Sequence, residues 1–293
     1  MTEKEYENIH FLLKEGKLSD LHDFLLSVSA PNDPNYWYYK GYTLRKLGKV
    51  DEAIESANKA LFLDANFGLA HFELGMIYQS KGDYKKAIEH ITKVVVSFSE
   101  QTMLSEKIDT LNSLALTYKM ARDTDNAFKY YNLALETLAQ EIYESIKGQP
   151  VKSIGFTHTG SPDRGWMRLA VQIAVKNTAK DGIENMLVPD GETAVKLLQQ
   201  NPLVGIAIYD KDGSRYLLPA YFSAFIDALK QNLWYSTITN NIGMLYAETA
   251  EIRKAGDTFM EATDFIPLGS GYNAPILNFE ELKRKYGDRE YWK

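Results

Sequence analysis

Disulfide bonds and thiolate metal sites are excluded in this chain, because its 293 residues include no cysteine. The most polar candidate is the segment 157–165, which combines hydroxyls and glycines with one histidine and one arginine. It lacks the G-x-x-x-x-G-K-[ST] and G-x-G-x-x-G spacings with which loops cradle phosphate groups. We therefore interpret the segment as an ordinary polar loop.

The remaining candidates also argue against a catalytic or metal site. The histidines show neither H-x-x-x-H nor H-E-x-x-H spacing; they are His10, His22, His71, His90 and His158. Residues 210–213 begin like a calcium loop, but no glutamate follows at the required distance, so we predict a tight turn. The G-x-S-x-G nucleophile motif is absent as well. We predict no catalytic residue, no metal ligand and no cofactor.

Composition and charge narrow the class of partner. The formal net charge of -6 argues against a nucleic acid or an anionic membrane as partner, since both favour clustered lysine and arginine. The N-terminal residues do not read as a signal peptide, and no apolar run is long enough to span a membrane. We expect a soluble cytoplasmic protein. The sequence leaves open whether it assembles with copies of itself.

One pattern of small and aromatic residues recurs along the chain. Gly41, Gly48 and Ala53 reappear 34 residues later as Gly75, Gly82 and Ala87. The same frame returns after longer gaps as Ala115, Tyr118, Ala127, Tyr131 and Ala134, and then as Gly243, Tyr246, Ala255, Phe259, Ala262 and Pro267. A fixed period of this length indicates stacked helical hairpins, none of which can bury its apolar face alone. Glycines 48 and 82 fall between the helices, where a left-handed cap is needed; Arg122 and Ala250 stand at the equivalent positions, so we expect those two turns to be built differently.

At these residues the chain resembles the tetratricopeptide repeat family. The family signature, W-x-x-L-G-x-x-Y followed by A-x-x-x-F, A and P, is matched in part in three hairpins and most fully from residue 242 to 267. His71 and Thr239 depart from it by replacing the usual tryptophan. Residues 2–33 read as a weaker first copy. The resemblance implies a mainly α fold, a solenoid of helical hairpins.

Between the third and last clear repeats lies an insertion with a different pattern. Residues 167–175 alternate apolar and polar as a half-buried strand does, and residues 203–218 read as a hairpin. Residues 190–200 and 219–231 read as short helices. We therefore predict a repeat array over 1–148, an inserted α+β module over 149–231, and a final repeat with a capping helix over 232–293. That capping helix is predicted to begin at Asn278, with Glu281 completing a capping box.

The resemblance also implies a site, because in this family the first helix of each hairpin lines a concave groove. Two columns of the repeat would point into it, and they form an aromatic and thioether stripe suited to an apolar helix or an extended peptide. These groove residues are Tyr38, Tyr42, Phe72, Met76, Asn112, Leu116, Asn240 and Met244. Arg45, Lys46 and Lys119 would stand at the groove rim, where they could meet an acidic residue. The alternative is that the stripe is buried by its own neighbours or by the inserted module.

Two functions remain open at this point. The first is a non-catalytic scaffold or adaptor that binds a protein or peptide partner in the groove. The second is a ligand-binding or enzymatic activity in residues 149–231, positioned by the repeats.

Overall fold

The computed structural model describes residues 1–146, 187–188, 204–208, 215–219 and 222–287. Eight helices occupy the N-terminal half: α1 Glu3–Lys14, α2 Leu18–Ser27, α3 Pro34–Lys46, α4 Val50–Leu63, α5 Gly68–Ser80, α6 Tyr84–Val96, α7 Leu104–Met120 and α8 Thr124–Ile146. Four more follow: α9 Phe222–Lys230, α10 Leu233–Glu248, α11 Ile252–Asp264 and α12 Ala274–Tyr286. Three short strands lie between the two groups: β1 Leu187–Val188, β2 Val204–Ile208 and β3 Arg215–Pro219. The described chain is therefore mainly helical, as the sequence predicts.

Helical hairpins closed by the same turn build the array. The second residue after each first helix has a left-handed backbone: Gly16, Gly48, Gly82, Arg122 and Ala250 have φ angles of 67°, 79°, 78°, 61° and 62°. In each turn the amides of this residue and of the next bond back to carbonyls of the preceding helix, which satisfies the helix end. The expectation that two turns would be built differently is wrong. Arg122 and Ala250 adopt the glycine conformation despite their Cβ atoms.

Small residues stand where two helices of one hairpin touch. Ala53 and Ala87, two members of the recurring pattern, are fully buried. A Cβ added to Gly75 would lie 2.4 Å from Ile91 Cγ1, and one added to Gly243 would lie 2.7 Å from the Phe259 ring. The glycine column therefore sets how closely the two helices approach.

Contacts divide the chain into two compact units, Met1–Ala127 and Phe128–Lys293. Within the first unit, the second helix of each hairpin packs on the first helix of the next: α2 on α3, α4 on α5 and α6 on α7. Ile77 on α5 joins a buried cluster with Leu44 and Ala53 of the preceding hairpin. Ile77 is therefore buried between two hairpins, and such repeats require neighbours for this reason.

In the second unit, helices from either side of residues 147–221 are in contact. The ring centroids of Phe128 on α8 and Tyr246 on α10, 118 positions apart in the chain, lie 4.7 Å apart. α10 packs on α11 as the two helices of a further hairpin. A helical hairpin therefore follows the strands and contacts α8 within this unit.

The last helix packs on both α10 and α11. Leu282 is buried against Ala255 and Phe259, and Phe279 and Tyr286 pack against the same cluster. These residues form the apolar face of the predicted capping helix, but its predicted start is wrong. The helix begins at Ala274 because Pro275 favours the first turn, and its N-cap is Asn273, whose side chain makes no capping bond.

The three strands form one antiparallel sheet in the order β1-β3-β2. Ile208 pairs with Arg215 and Val204 pairs with Pro219, as expected for the predicted hairpin. The predicted strand 167–175 and the predicted helix 190–200 lie outside the described residues. Helix α9, which follows β3, occupies most of the predicted range 219–231 and packs on α10.

Candidate functional site: the first helices of the repeats

Six of the predicted groove residues lie on α3, α5 and α7, the first helices of the second, third and fourth hairpins. All six are partly exposed, neither buried in the array nor fully solvated: Tyr38, Tyr42, Phe72, Met76, Asn112 and Leu116. They occupy the same two columns in each hairpin, because the helices end at equivalent points of the repeat. All belong to the first compact unit.

A bidentate ion pair joins the first two of these helices. The Arg45 guanidinium on α3 donates from Nε to Glu73 Oε1 on α5 at 2.5 Å, and from Nη2 to Oε2 at 3.1 Å. The side chain of Glu73 is 2% exposed and that of Arg45 is 19% exposed. Arg45 is therefore bound within the array, whereas the sequence suggested a rim charge open to a partner.

A second polar link joins α5 to α7. The amide Nε2 of Gln79 donates to Thr117 Oγ1 at 2.7 Å, and that hydroxyl donates to the Ser113 carbonyl at 2.7 Å. Gln79 stands at the same column of its repeat as Arg45 does in the preceding one. In each of these two hairpins, one polar side chain thus bonds to the first helix of the next hairpin. The bond fixes the position of one first helix relative to the next.

Aromatic rings surround Tyr38 on α3. Its centroid lies 5.0 Å from that of Tyr39, 6.3 Å from that of Tyr42 and 6.3 Å from that of Phe67. Burial raises the pKa of the Tyr38 hydroxyl, and the nearby Glu73 carboxylate raises it further. The hydroxyl therefore stays protonated at neutral pH and remains a hydrogen-bond donor.

Cations lie over the Tyr42 ring. The Arg45 guanidinium carbon is 5.4 Å from the ring centroid and the Lys46 ammonium is 5.6 Å from it. Lys46 is exposed, and Lys119, the third predicted rim residue, is partly exposed on α7. Such contacts stabilise by about 0.5–1 kcal/mol at exposed sites and orient the ring.

The last repeat differs, because α12 covers its groove columns. Asn240 is 5% exposed, and its Oδ1 accepts a hydrogen bond from Asn278 Nδ2 at 2.8 Å. Met244 packs against the cluster that includes Leu282. The prediction that Asn240 faces a partner is therefore wrong for this conformation, since a helix of the same chain already occupies that place.

Two histidines predicted to play no special role are paired inside the third hairpin. His71 Nδ1 on α5 and His90 Nδ1 on α6 are 3.0 Å apart, and His71 Nε2 is 3.1 Å from the Ala65 carbonyl. A carbonyl can only accept, so neutral His71 carries its proton on Nε2, and His90 Nδ1 must donate to His71 Nδ1. The His90 ring also stacks on Tyr78, with 15° between the planes.

Burial lowers the pKa of His90 to about 4, helped by the proximity of His71 and Lys93. Burial also lowers the pKa of His71, although its bond to the Ala65 carbonyl acts in the opposite direction. Both rings are therefore neutral at neutral pH.

Sequence reasoning missed Glu73, Gln79 and Tyr39. The only signal for Glu73 is a charge inside an otherwise apolar helix, which could have indicated a buried pair. The polar segment 157–165 lies outside the described residues. Among the residues that the structure describes, no cluster of three or more potential ligands could hold a metal ion, and no helix is long and apolar enough to cross a membrane.

Stacked hairpins with small residues at their contacts and a left-handed closing turn define a helical-hairpin repeat protein. A family model described as the SusR N-terminal TPR domain matches residues 13–141. Together with the signature residues, this match identifies the repeats over residues 13–141 as tetratricopeptide repeats.

Several known proteins resemble parts of the chain. It is 34% identical over 110 residues to a TPR repeat-containing protein, MJ1428, of Methanocaldococcus jannaschii, which covers 38% of this chain and 19% of that protein. It is 35% identical over 65 residues to the small glutamine-rich tetratricopeptide repeat-containing protein 2 of Mycosarcoma maydis, covering 22% of this chain and 18% of the relative. Among solved structures, the MamA protein shares 24% identity with a TM-score of 0.40, over 51% of this chain and 78% of MamA. The chain thus matches less than a fifth of the length of MJ1428 and of the Mycosarcoma maydis protein.

Proposed function

We propose that this protein is a non-catalytic scaffold that binds a protein partner along the first helices α3, α5 and α7. The observation that supports this proposal most is a row of partly exposed apolar side chains at one repeat column, Tyr42, Met76 and Leu116. TPR proteins bind protein or peptide partners, so a row of partly exposed apolar side chains on such an array is a suitable surface for a partner. We infer that the row contacts the apolar side chains of an extended peptide or of a helix.

The polar links beneath the row support a preformed site. Arg45 with Glu73 and Gln79 with Thr117 tie the three helices together independently of any ligand. A surface held in register before binding loses less conformational entropy when a partner arrives. Thioether and aromatic side chains adapt to irregular apolar surfaces, which suits recognition of a short segment.

The test is a paired substitution in the row. Because buried aromatic and thioether contacts at the centre of an interface cost about 2 kcal/mol or more each when truncated, Tyr42→Ala with Met76→Ala should weaken partner binding about a hundredfold. The matched control is Glu52→Ala with Lys86→Ala, two exposed residues on second helices. It should leave the affinity unchanged.

A partner captured by pull-down should be followed by calorimetry, since a negative heat-capacity change reports apolar burial. We further infer that the three strands belong to a small α+β module inserted in the array. If removal of residues 149–221 abolishes partner binding while the groove pair leaves it intact, the groove proposal is wrong, and the inserted module carries the function. This deletion retains α9, whose Phe225 and Leu229 are buried.

A further inference from the structure

Five rings on α1 and α3, the first helices of the first two hairpins, form a continuous cluster; we call it the aromatic cradle and define it as Tyr6, His10, Tyr38, Tyr39 and Tyr42. The Tyr39 centroid lies 6.3 Å from that of Tyr6, 6.0 Å from that of His10 and 5.0 Å from that of Tyr38. Tyr38 continues the cluster to Tyr42 at 6.3 Å. The three contacts of Tyr39 are edge-on or tilted, which leaves ring surface uncovered by ring-to-ring stacking.

The cradle extends the stripe of the proposed site by one repeat. Ile9 and Gly16 in the first hairpin correspond to Gly41 and Gly48 in the second, because both closing turns have the same conformation. Tyr6 and His10 therefore occupy the columns of Tyr38 and Tyr42. In the structure the four tyrosines are partly exposed and His10 is exposed.

Asp33 and Arg45, the charges at the two ends of the cradle, are already bound within the protein. Asp33 accepts hydrogen bonds from the Tyr6 hydroxyl at 3.3 Å and from the Asn35 backbone at 2.9 Å. At the other end Arg45 is bound by Glu73 in the bidentate pair, and the exposed Lys46 ammonium lies over the Tyr42 ring. A ligand charge directed at Asp33 or Arg45 would have to compete with these contacts, whereas an uncharged segment would not.

We propose that the aromatic cradle binds an uncharged, proline-rich segment in the polyproline II conformation; this inference rests on the proposed partner-binding function. Proline rings pack flat against aromatic faces, and aromatic-lined grooves are the usual docking surface for such segments. A polyproline II segment makes no internal hydrogen bonds, so its carbonyls are open to tyrosine hydroxyl donors. It is also extended before binding, and so little entropy is lost on docking.

The side chains at the cradle end of the stripe differ in chemistry from those on α5 and α7. The columns of α5 and α7 hold Met76 and Leu116, which offer soft aliphatic contacts to a leucine-rich or helical segment. The cradle offers planar rings with hydroxyl groups. One partner could therefore present a proline-rich segment to the cradle and an apolar segment to the residues that follow it.

The experiment uses the full chain and a fluorescent peptide of ten prolines, with a glycine-serine peptide of equal length as the reference. Fluorescence anisotropy should show saturable binding of the proline peptide alone. Tyr39→Leu keeps apolar volume but removes the central ring, and it should weaken binding about tenfold. The matched control is Tyr84→Leu, a partly exposed tyrosine on the second helix α6, which should bind as the unmodified chain does.

His10→Ala provides a second variant, because His10 is exposed and its loss should leave the fold intact. It too should weaken proline-peptide binding if the cradle is the site. Absence of saturable binding, equal binding of the glycine-serine peptide, or indifference to both Tyr39→Leu and His10→Ala would overturn the inference. A natural partner that still depends on Met76 but ignores the cradle variants would overturn it while leaving the proposed function standing.

Discussion

Arg45 and Glu73, 28 positions apart in the chain, form the bidentate ion pair that ties the second hairpin to the third. The carboxylate is almost fully buried, and the guanidinium is mostly so. Burying two charges is costly, and mutual attraction offsets that cost only when the geometry is good and both groups are hydrogen-bonded. Both conditions hold here. The pair therefore acts as a register lock, which means that it fixes the position of one repeat relative to the next. Removing either residue alone should lower stability.

Removing one half should destabilise the array strongly. Glu73→Ala leaves the mostly buried Arg45 charge without its partner, and we expect a loss of about 3 kcal/mol in the free energy of unfolding. Urea denaturation followed by circular dichroism measures it. The control is Asp51→Ala, which removes the exposed partner of Lys81 in another pair between the same two hairpins. That change should have almost no effect, because exposed pairs contribute little; equal losses would contradict the register lock.

A second prediction concerns the left-handed turns, where a substitution should raise the free energy of unfolding. Arg122 and Ala250 have φ angles of 61° and 62°, a region that costs a residue with a Cβ about 1–2 kcal/mol. Part of that strain is offset by the greater chain entropy of glycine in the unfolded state. Arg122→Gly should therefore raise the free energy of unfolding by about 0.5–1 kcal/mol.

The reverse substitution is the control. A Cβ at Gly48 would meet no atom within 4 Å, so Gly48→Ala tests backbone strain alone and should cost about 1 kcal/mol. Thermal melts of both variants decide the matter. If Arg122→Gly lowers the midpoint, the left-handed conformation at this turn is not strained in the way proposed.

A third prediction concerns the contact between the two helices of one hairpin. Ala87 is fully buried on α6, close to the position where Gly75 of α5 approaches. Ala87→Leu should overpack that contact and cost about 1–3 kcal/mol. Lys86→Leu, one residue away with its side chain 56% exposed, should be nearly neutral. Similar shifts of the melting midpoint for both variants would mean that the repeat frame is misassigned.

The helical hairpins could be predicted from sequence because their signal is local. Small residues at helical spacing and glycines between helices identify each hairpin without knowledge of its neighbours. The conformation of the turn at Arg122 could not be predicted, because no local pattern indicates that an arginine will adopt a left-handed backbone. The start of α12 was missed because a capping-box pattern outweighed Pro275, the stronger signal.

The links between repeats were beyond sequence reasoning for a different reason. Arg45 and Glu73, like His71 and His90, become partners only when the hairpins or helices are stacked at a particular rotation. Periodicity predicts which face a residue occupies but not which side chain across the contact it meets. The same limit applies to Asn240, whose column is open in a generic repeat and covered here by α12.

The last prediction concerns the histidine pair and pH. His90 has a pKa near 4 in the folded chain, below its ordinary value of 6.5, because it is buried beside His71, Lys93 and Lys86; Glu89 acts in the opposite direction. Asp64 and Glu89 also favour the charged form of His71, but burial prevails. Between pH 6.5 and 4 the unfolded chain therefore binds more protons at these sites than the folded chain does. Stability contributed by the pair is present above pH 6.5 and is lost as pH falls toward 4.

His90→Gln tests this assignment, because a glutamine amide can still donate to His71 Nδ1 but cannot take up a proton. Melting midpoints measured by circular dichroism should fall less steeply between pH 6.5 and 4 in this variant than in the unmodified chain. Thr92→Ala, on the same helix, is the control: it changes no titratable group and should leave the slope of the curve as it is in the unmodified chain. An unchanged slope in His90→Gln would show that protonation of this pair does not govern the acid sensitivity of the array.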